Sequence, residues 1–235
     1  MSMPDTHKQV VTTARLAGAS YLTLAISGVL GFLIFHPQVF VSGDPEKTLT
    51  HLIQLPTLAR MRLLCELVII VSQALTAVWF YKLFRHLNET AAWAVGIWGM
   101  INSGVIMVSA ISMGTAMELA QVATLAQADK IVLIQLLSSV STHAWGVGGL
   151  FFGLWLLPMG YVVITSKRMP VWLGRILIMG GAGYLLSTFI QYAGINHPVS
   201  ELLPLPATVG EFWMIGYLLL YGIRPANESP APATT

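Results

Sequence analysis

The run His143-Ala-Trp-Gly146-Val-Gly-Gly149-Leu-Phe-Phe-Gly153-Leu-Trp-Leu-Leu-Pro158-Met-Gly160 is too apolar and too long for an ordinary soluble helix. Its glycines are ordered. Gly146, Gly153 and Gly160 fall seven apart, and His143 stands three residues before the first. Positions three, four and seven apart share a helix face, so these four residues form one stripe. Gly149 and Gly153 add a small-xxx-small pair on an adjoining line of the same surface. In lipid, a strip without side chains lets a neighbouring helix approach closely and gain dispersion contacts. The stripe therefore predicts the central post of a membrane bundle, with one imidazole held against a partner.

Composition agrees. Of 235 residues, 55% are hydrophobic and 9% charged, against roughly 25% charged in a typical soluble domain. A soluble domain of this size cannot hide so much apolar surface, so the bilayer is the expected solvent and first partner. A net charge of +2 without a Lys/Arg cluster argues against nucleic acid. The single cysteine, Cys65, allows no intrachain disulfide. The first apolar run is about 20 residues long, which reads as a transmembrane helix rather than a signal peptide, whose apolar core is roughly 7–15.

Working outward, spans of about 20 apolar residues cross a hydrocarbon core of roughly 30 Å. Six are expected: Leu16–Phe35, Leu63–Phe84, Ala91–Gly114, Ser139–Thr165, Val171–Gln191 and Thr208–Ile223. The division is a polar segment over 1–12, a six-helix domain over 13–224 and a disordered tail over 225–235. The fourth span carries Pro158, which predicts a kink. Asp44-Pro45-Glu46 reads as a helix start leading to a short surface helix that ends near Pro56. Thr115-Ala-Met-Glu118 has the capping-box spacing and predicts a second surface helix, Ala116–Ala128. The fold class is thus all-α: a polytopic transmembrane bundle of six helices, with two short surface helices on the outer side.

Lys8, Arg15, Lys82, Arg85, Lys167, Arg168, Arg175 and Arg224 lie on the side of the N-terminus; Lys47, Arg60, Arg62 and Lys130 lie opposite. Eight against four places both termini in the cytoplasm of an inner-membrane protein. The glycosylation-like triplets at Asn88 and Asn227 then face the cytoplasm.

Ionisable groups at membrane depth usually face a bundle interior or a wet cavity. Glu66, His143 and Glu211 stand out, each four to six residues beyond the outer start of its helix, hence about 6–9 Å down. Arg62, Glu66, Gln73 and Thr76 form a continuous polar line on the second span. Asn102, Ser109 and Ser112 make a lesser line on the third. His36, His51 and His197 read as loop or interfacial residues. The tryptophans, Trp145 among them, read as belt and packing residues rather than a cofactor box.

Ala14-Arg15-Leu-Ala-Gly18-Ala-Ser-Tyr21-Leu22 resembles the opening of a bacterial six-helix membrane family, domain of unknown function 4386. Phe151-Phe152-Gly153-Leu-Trp-Leu-Leu-Pro158-Met-Gly160-Tyr161, followed by Pro170-x-x-Leu173-Gly174-Arg175-Ile-Leu177, resembles its hallmark. Leu58-Ala-Arg60-Met-Arg62 and Gly210-Glu211 are similar too, so the resemblance covers about residues 12–224. It implies the same six-helix architecture and no catalytic role.

Three functional readings follow. In the leading one, Arg62, Glu66, Gln73, His143 and Glu211 line an outer-facing pocket between the second, fourth and sixth helices. Such a pocket would bind a small polar ligand or ion, with His143 and Glu211 relaying a proton. In the second, Glu66, His143 and Glu211 hold a metal that activates water. In the third, the polar and glycine stripes only glue helices together, within the chain, between two copies, or with another membrane protein. No cofactor is expected. The geometry that favours the first reading is His143 within reach of Glu66 or Glu211.

Overall fold

A computed structural model describes residues 7–195 and 198–224. His197, the tail from Pro225 and the triplet at Asn227 lie outside the described residues. Apolar composition with no water to satisfy the backbone leaves helices as the way to bury N–H and C=O groups, and no strand occurs among the described residues. The elements are α1 (His7–Gly28), a π-helical segment (Val29–Phe35), α2 (His36–Val39), α3 (Pro45–Gln54) and α4 (Pro56–Phe84). After them come α5 (Glu89–Gln121), α6 (Gln127–Ser166), α7 (Val171–Tyr192), α8 (Val199–Leu202) and α9 (Leu205–Leu220). Among the described residues, six helical stretches are long and apolar enough to cross a membrane: His7–Val39, α4, α5, α6, α7 and Val199–Leu220. The protein is a multi-pass all-α membrane protein.

Each spanning helix packs on the next in sequence, and α1 closes against α9, so the bundle is an up-and-down ring. At its centre Trp155 of α6 is fully buried. It meets Tyr21 of α1 edge-on at 5.4 Å and Phe80 of α4 at 6.1 Å between ring centroids. Gly99 of α5 gives it room, because a Cβ there would stand 3.1 Å from the indole. One side chain thus ties four spans together.

The glycine stripe of α6 faces α7. A Cβ on Gly153 would lie 2.7 Å from the carbonyl oxygen of Gly181, and one on Gly160 would lie 2.6 Å from that of Gly174. The contact is reciprocal: Gly174 and Gly181 would strike the carbonyls of Gly160 and Gly153 in turn. Backbone meets backbone. The neighbour of the stripe is therefore the fifth span, not the second or sixth.

At the start of α3 the Asp44 carboxylate accepts the backbone N–H of Lys47 at 2.9 Å, with Pro45 at the first turn, as the sequence predicts. At the start of α5 the Asn88 side chain accepts from the N–H of Ala91 at 2.8 Å. The second surface helix expected over Ala116–Ala128 does not exist as a separate element: α5 continues unbroken to Gln121. Thr115 donates its hydroxyl back to the Ile111 carbonyl at 2.9 Å instead of capping. Ala116 and Ala120 extend the buried face into a cluster with Leu49, Leu52 and Ile134, and that packing carries the helix on. The fourth span is also longer than expected, starting at Gln127, and stays helical through Pro158.

If backbone contact fixes α6 on α7, Gly153→Ala and Gly160→Ala should each lower stability by about 1–3 kcal/mol through overpacking. Gly104→Ala, where a Cβ meets nothing within 4 Å, should change little. Thermal unfolding of the detergent-solubilised variants checks this; equal melting of all three would disprove the contact.

Candidate functional site

The residues singled out in the sequence separate into three places. The first is a buried polar column between α4, α5 and α6. Arg62 and Glu66, one turn apart on α4, pair at 2.7 Å and are both fully shielded from solvent. Phe32, presented by the π-helical segment, lies under the guanidinium at 4.4 Å from its ring centroid. The Trp145 indole N–H donates to both the Glu66 carboxylate (3.2 Å) and the Ser109 hydroxyl (3.1 Å). Ser109 and Ser141 share a hydrogen bond of 2.6 Å. Further along the same faces, Gln73 and Asn102 are fully buried with no hydrogen-bond partner for their amides among the described residues. The two charges of the column neutralise each other, while Arg62 Nε and Nη2 are buried with no hydrogen-bond partner among the described residues.

The second place is a cavity of about 380 Å³ between α1, α6, α7 and α9. Its polar end is Glu211 of α9, whose Oε1 accepts the Tyr21 hydroxyl at 2.5 Å. Its walls are aromatic. Phe32 stands edge-on to Trp145 at 4.2 Å, Trp145 stacks on Phe152 at 6.5 Å, and Phe152 stacks on Tyr184 at 5.7 Å. Val29, Leu33 and Phe212 line it too and are exposed on the outside of the bundle, so it opens sideways between the first and last spans.

The π-helical turn shapes this cavity, since Val29, Phe32 and Leu33 all belong to it. Its cause is local. Pro37 has no N–H, and its ring clashes with the carbonyl four residues back, so an ordinary turn cannot run through Leu33. The wider turn resolves the conflict, and the His36 N–H bonds the Gly31 carbonyl five residues back. Gly31 also lets α4 approach, because a Cβ there would stand 3.2 Å from that of Cys65.

The third place holds His143. It lies on the glycine stripe and reaches the end of α7, where its Nδ1 is 3.3 Å from the Tyr192 hydroxyl. Its side chain is exposed and lines a separate basin of about 660 Å³ with His36, Thr48, Gln135 and Ser138. No hydrogen bond or ion pair joins it to Glu66 or Glu211 among the described residues. The expected convergence of Glu66, His143 and Glu211 is thus corrected. The three side chains, level by count from the expected span starts, point to different places, because α6 turns its stripe to α7 and α4 is not a neighbour of α9 in the ring. No group of three His, Cys, Asp or Glu residues among the described ones is placed to hold a metal.

Two residues matter here that the sequence reading passed over. Tyr21 is the partner of Glu211, and Trp145 carries both the column and the cavity wall. The signal was available: an aromatic with a polar tip inside an apolar span needs a hydrogen-bond partner.

Removing one member of a buried ion pair strands the other. Glu66→Ala should therefore lower stability by about 3–5 kcal/mol, whereas the paired change Arg62→Met with Glu66→Met should cost far less. Thermal melting of the single and double variants checks this; a mild Glu66→Ala would mean that Arg62 finds another counter-charge.

Comparison with known proteins follows the same lines. No solved structure matches the chain. A 69-residue stretch, 29% of the chain, is 26% identical to a protein of Archaeoglobus fulgidus that carries the description "Uncharacterized protein". The match spans 43% of that protein's length. The model of the domain of unknown function DUF4386 matches residues 16–222, all six spans in one match. The chain belongs to the DUF4386 family.

Proposed function

We propose that the protein binds a small amphipathic molecule drawn from the bilayer, in the sideways-opening cavity beside Glu211, as a carrier or sensor. The observation that carries this reading is a carboxylate with one oxygen hydrogen-bonded to Tyr21, set in an aromatic wall next to an opening between spans. A polar group at membrane depth is costly unless it serves a partner or a passage. Apolar walls with a few placed polar groups are the usual anatomy of small-molecule sites. The π-helical turn along one wall agrees, since such turns frequently occur at functional sites. A metal-dependent reaction at Glu66, His143 and Glu211 is the less favoured reading, since their side chains belong to three separate places.

We further propose that the protein lies in a bacterial inner membrane with both termini in the cytoplasm, from the eight-to-four distribution of lysine and arginine. Reporter fusions after Glu89 and at the C-terminus should both report cytoplasm; a periplasmic signal from either would reverse the orientation.

Ligand binding to the folded state raises stability, by about 2.7 kcal/mol at a hundredfold excess over Kd. Tetraphenylphosphonium, triphenylphosphine oxide and tetraphenylborate span three charges on one aryl scaffold. At least one of them should raise the melting temperature of the purified protein, and Ala25→Trp, which fills the cavity, should remove the effect. No shift with any of the three, or a shift that survives Ala25→Trp, would contradict a ligand site here.

A further inference from the structure

The cavity's chemistry is more selective than its size. Glu211 is the sole charged side chain among its lining residues. Its Oε1 holds the Tyr21 hydroxyl, and its Oε2 has no protein donor among the described residues. Arg62 does not line the cavity: its charge is matched by Glu66, and its guanidinium packs on Phe32, which does. The rings of Trp145, Phe152 and Tyr184 stack in series, at 16° and 24° between neighbouring planes, and give the cavity an aromatic side. Aromatic rings tolerate a cation beside them better than an anion. An anion would meet a carboxylate with no cation beside it in the lining. A neutral apolar molecule would leave the carboxylate oxygen without a partner, at the cost of an unsatisfied buried charge.

We infer that the occupant is a lipophilic monocation, such as a quaternary ammonium, phosphonium or protonated amine on an aryl or alkyl body, paired with Glu211 inside the aromatic wall. The inference rests on the ligand-site reading above and names its substrate class. One carboxylate matches one positive charge; a dication would carry an unpaired charge into the bilayer. The sideways opening suits molecules that already partition into lipid. The same oxygen can take a proton, so cation and proton compete for it. Binding at low pH converts the carboxylic acid to a carboxylate–cation pair and releases one proton to the buffer, with no other bond changed. The groups facing Glu211 are the phenols of Tyr21 from α1 and Tyr184 from α7, and the Thr208 hydroxyl of its own helix. Ile69 from α4 and Trp145 and Phe152 from α6 bring no charge.

Radiolabelled tetraphenylphosphonium and equilibrium dialysis against the purified full chain in nanodiscs test this. Saturable binding of one cation per chain is expected, with affinity falling once acid protonates the carboxyl. Triphenylphosphine oxide should compete at least about tenfold more weakly, tetraphenylborate not at all, and Glu211→Gln should lose on the order of tenfold or more. Equal competition by the neutral oxide, with Glu211→Gln binding normally, would overturn the cation assignment and leave the cavity as a neutral-ligand site. No displaceable binding by any of the three would overturn the ligand site itself. If Glu211→Gln fails to fold, the unmodified protein decides. Binding to the unmodified protein that the neutral oxide displaces as well as unlabelled tetraphenylphosphonium does would overturn the assignment.

Discussion

The backbone contact between α6 and α7 is the constraint on which the rest of the structure depends. Two antiparallel helices meet through Gly153 and Gly160 on one side and Gly181 and Gly174 on the other, each placed where a Cβ would strike the opposite carbonyl. In lipid there is no hydrophobic drive to push helices together, so such close approach supplies the association through dispersion. It also fixes register. With Gly153 against Gly181, Phe152 must stack on Tyr184, and at the far end His143 must meet Tyr192. One wall of the cavity is therefore a by-product of the packing, and a side chain at any of these glycines would move it.

Trp145 joins that wall to the polar column. Its N–H is shared between Glu66 and Ser109, while its ring stands against Phe32 and Phe152 in the cavity. An indole can do both because its donor sits at one edge and its ring faces remain available for packing. The column then acts as a rigid backing: Arg62 and Glu66 neutralise each other, and Phe32 is clamped between the guanidinium and the indole. What faces the opening is left with a single unpaired charge site. The two sets of ionisable groups are thus separate: one buried pair matched within α4, and one carboxylate beside the cavity.

Much of this was legible in the sequence. The six spans follow from apolar run length, the α3 start from Asp44-Pro45, and the Arg62–Glu66 pair from their spacing of four on one helix. Other features were not, for identifiable reasons. Depth along a helix can be read from residue count, but direction around its axis depends on which neighbour it meets. Counted from the expected span starts, Glu66, His143 and Glu211 agree in the first coordinate, yet they differ in the second. The Thr115–Glu118 spacing fits a cap, yet a threonine hydroxyl serves the carbonyl four back equally well, and burial of Ala116 and Ala120 decides between them. The π-helical turn ahead of Pro37 has a cause in the sequence, but a proline can equally kink or end a helix, and the choice shows only in the structure.

The central claim is positional: a lipophilic cation sits beside Glu211, inside the wall formed by Trp145, Phe152 and Tyr184. Anomalous diffraction from crystals grown with tetraphenylarsonium locates a bound arsenic atom without reference to any assumed pose. The account expects one arsenic peak per chain within the cavity, between the Glu211 carboxylate and the Trp145 ring. A peak in the His36–His143 basin instead, or on the outer face of the bundle, would contradict it.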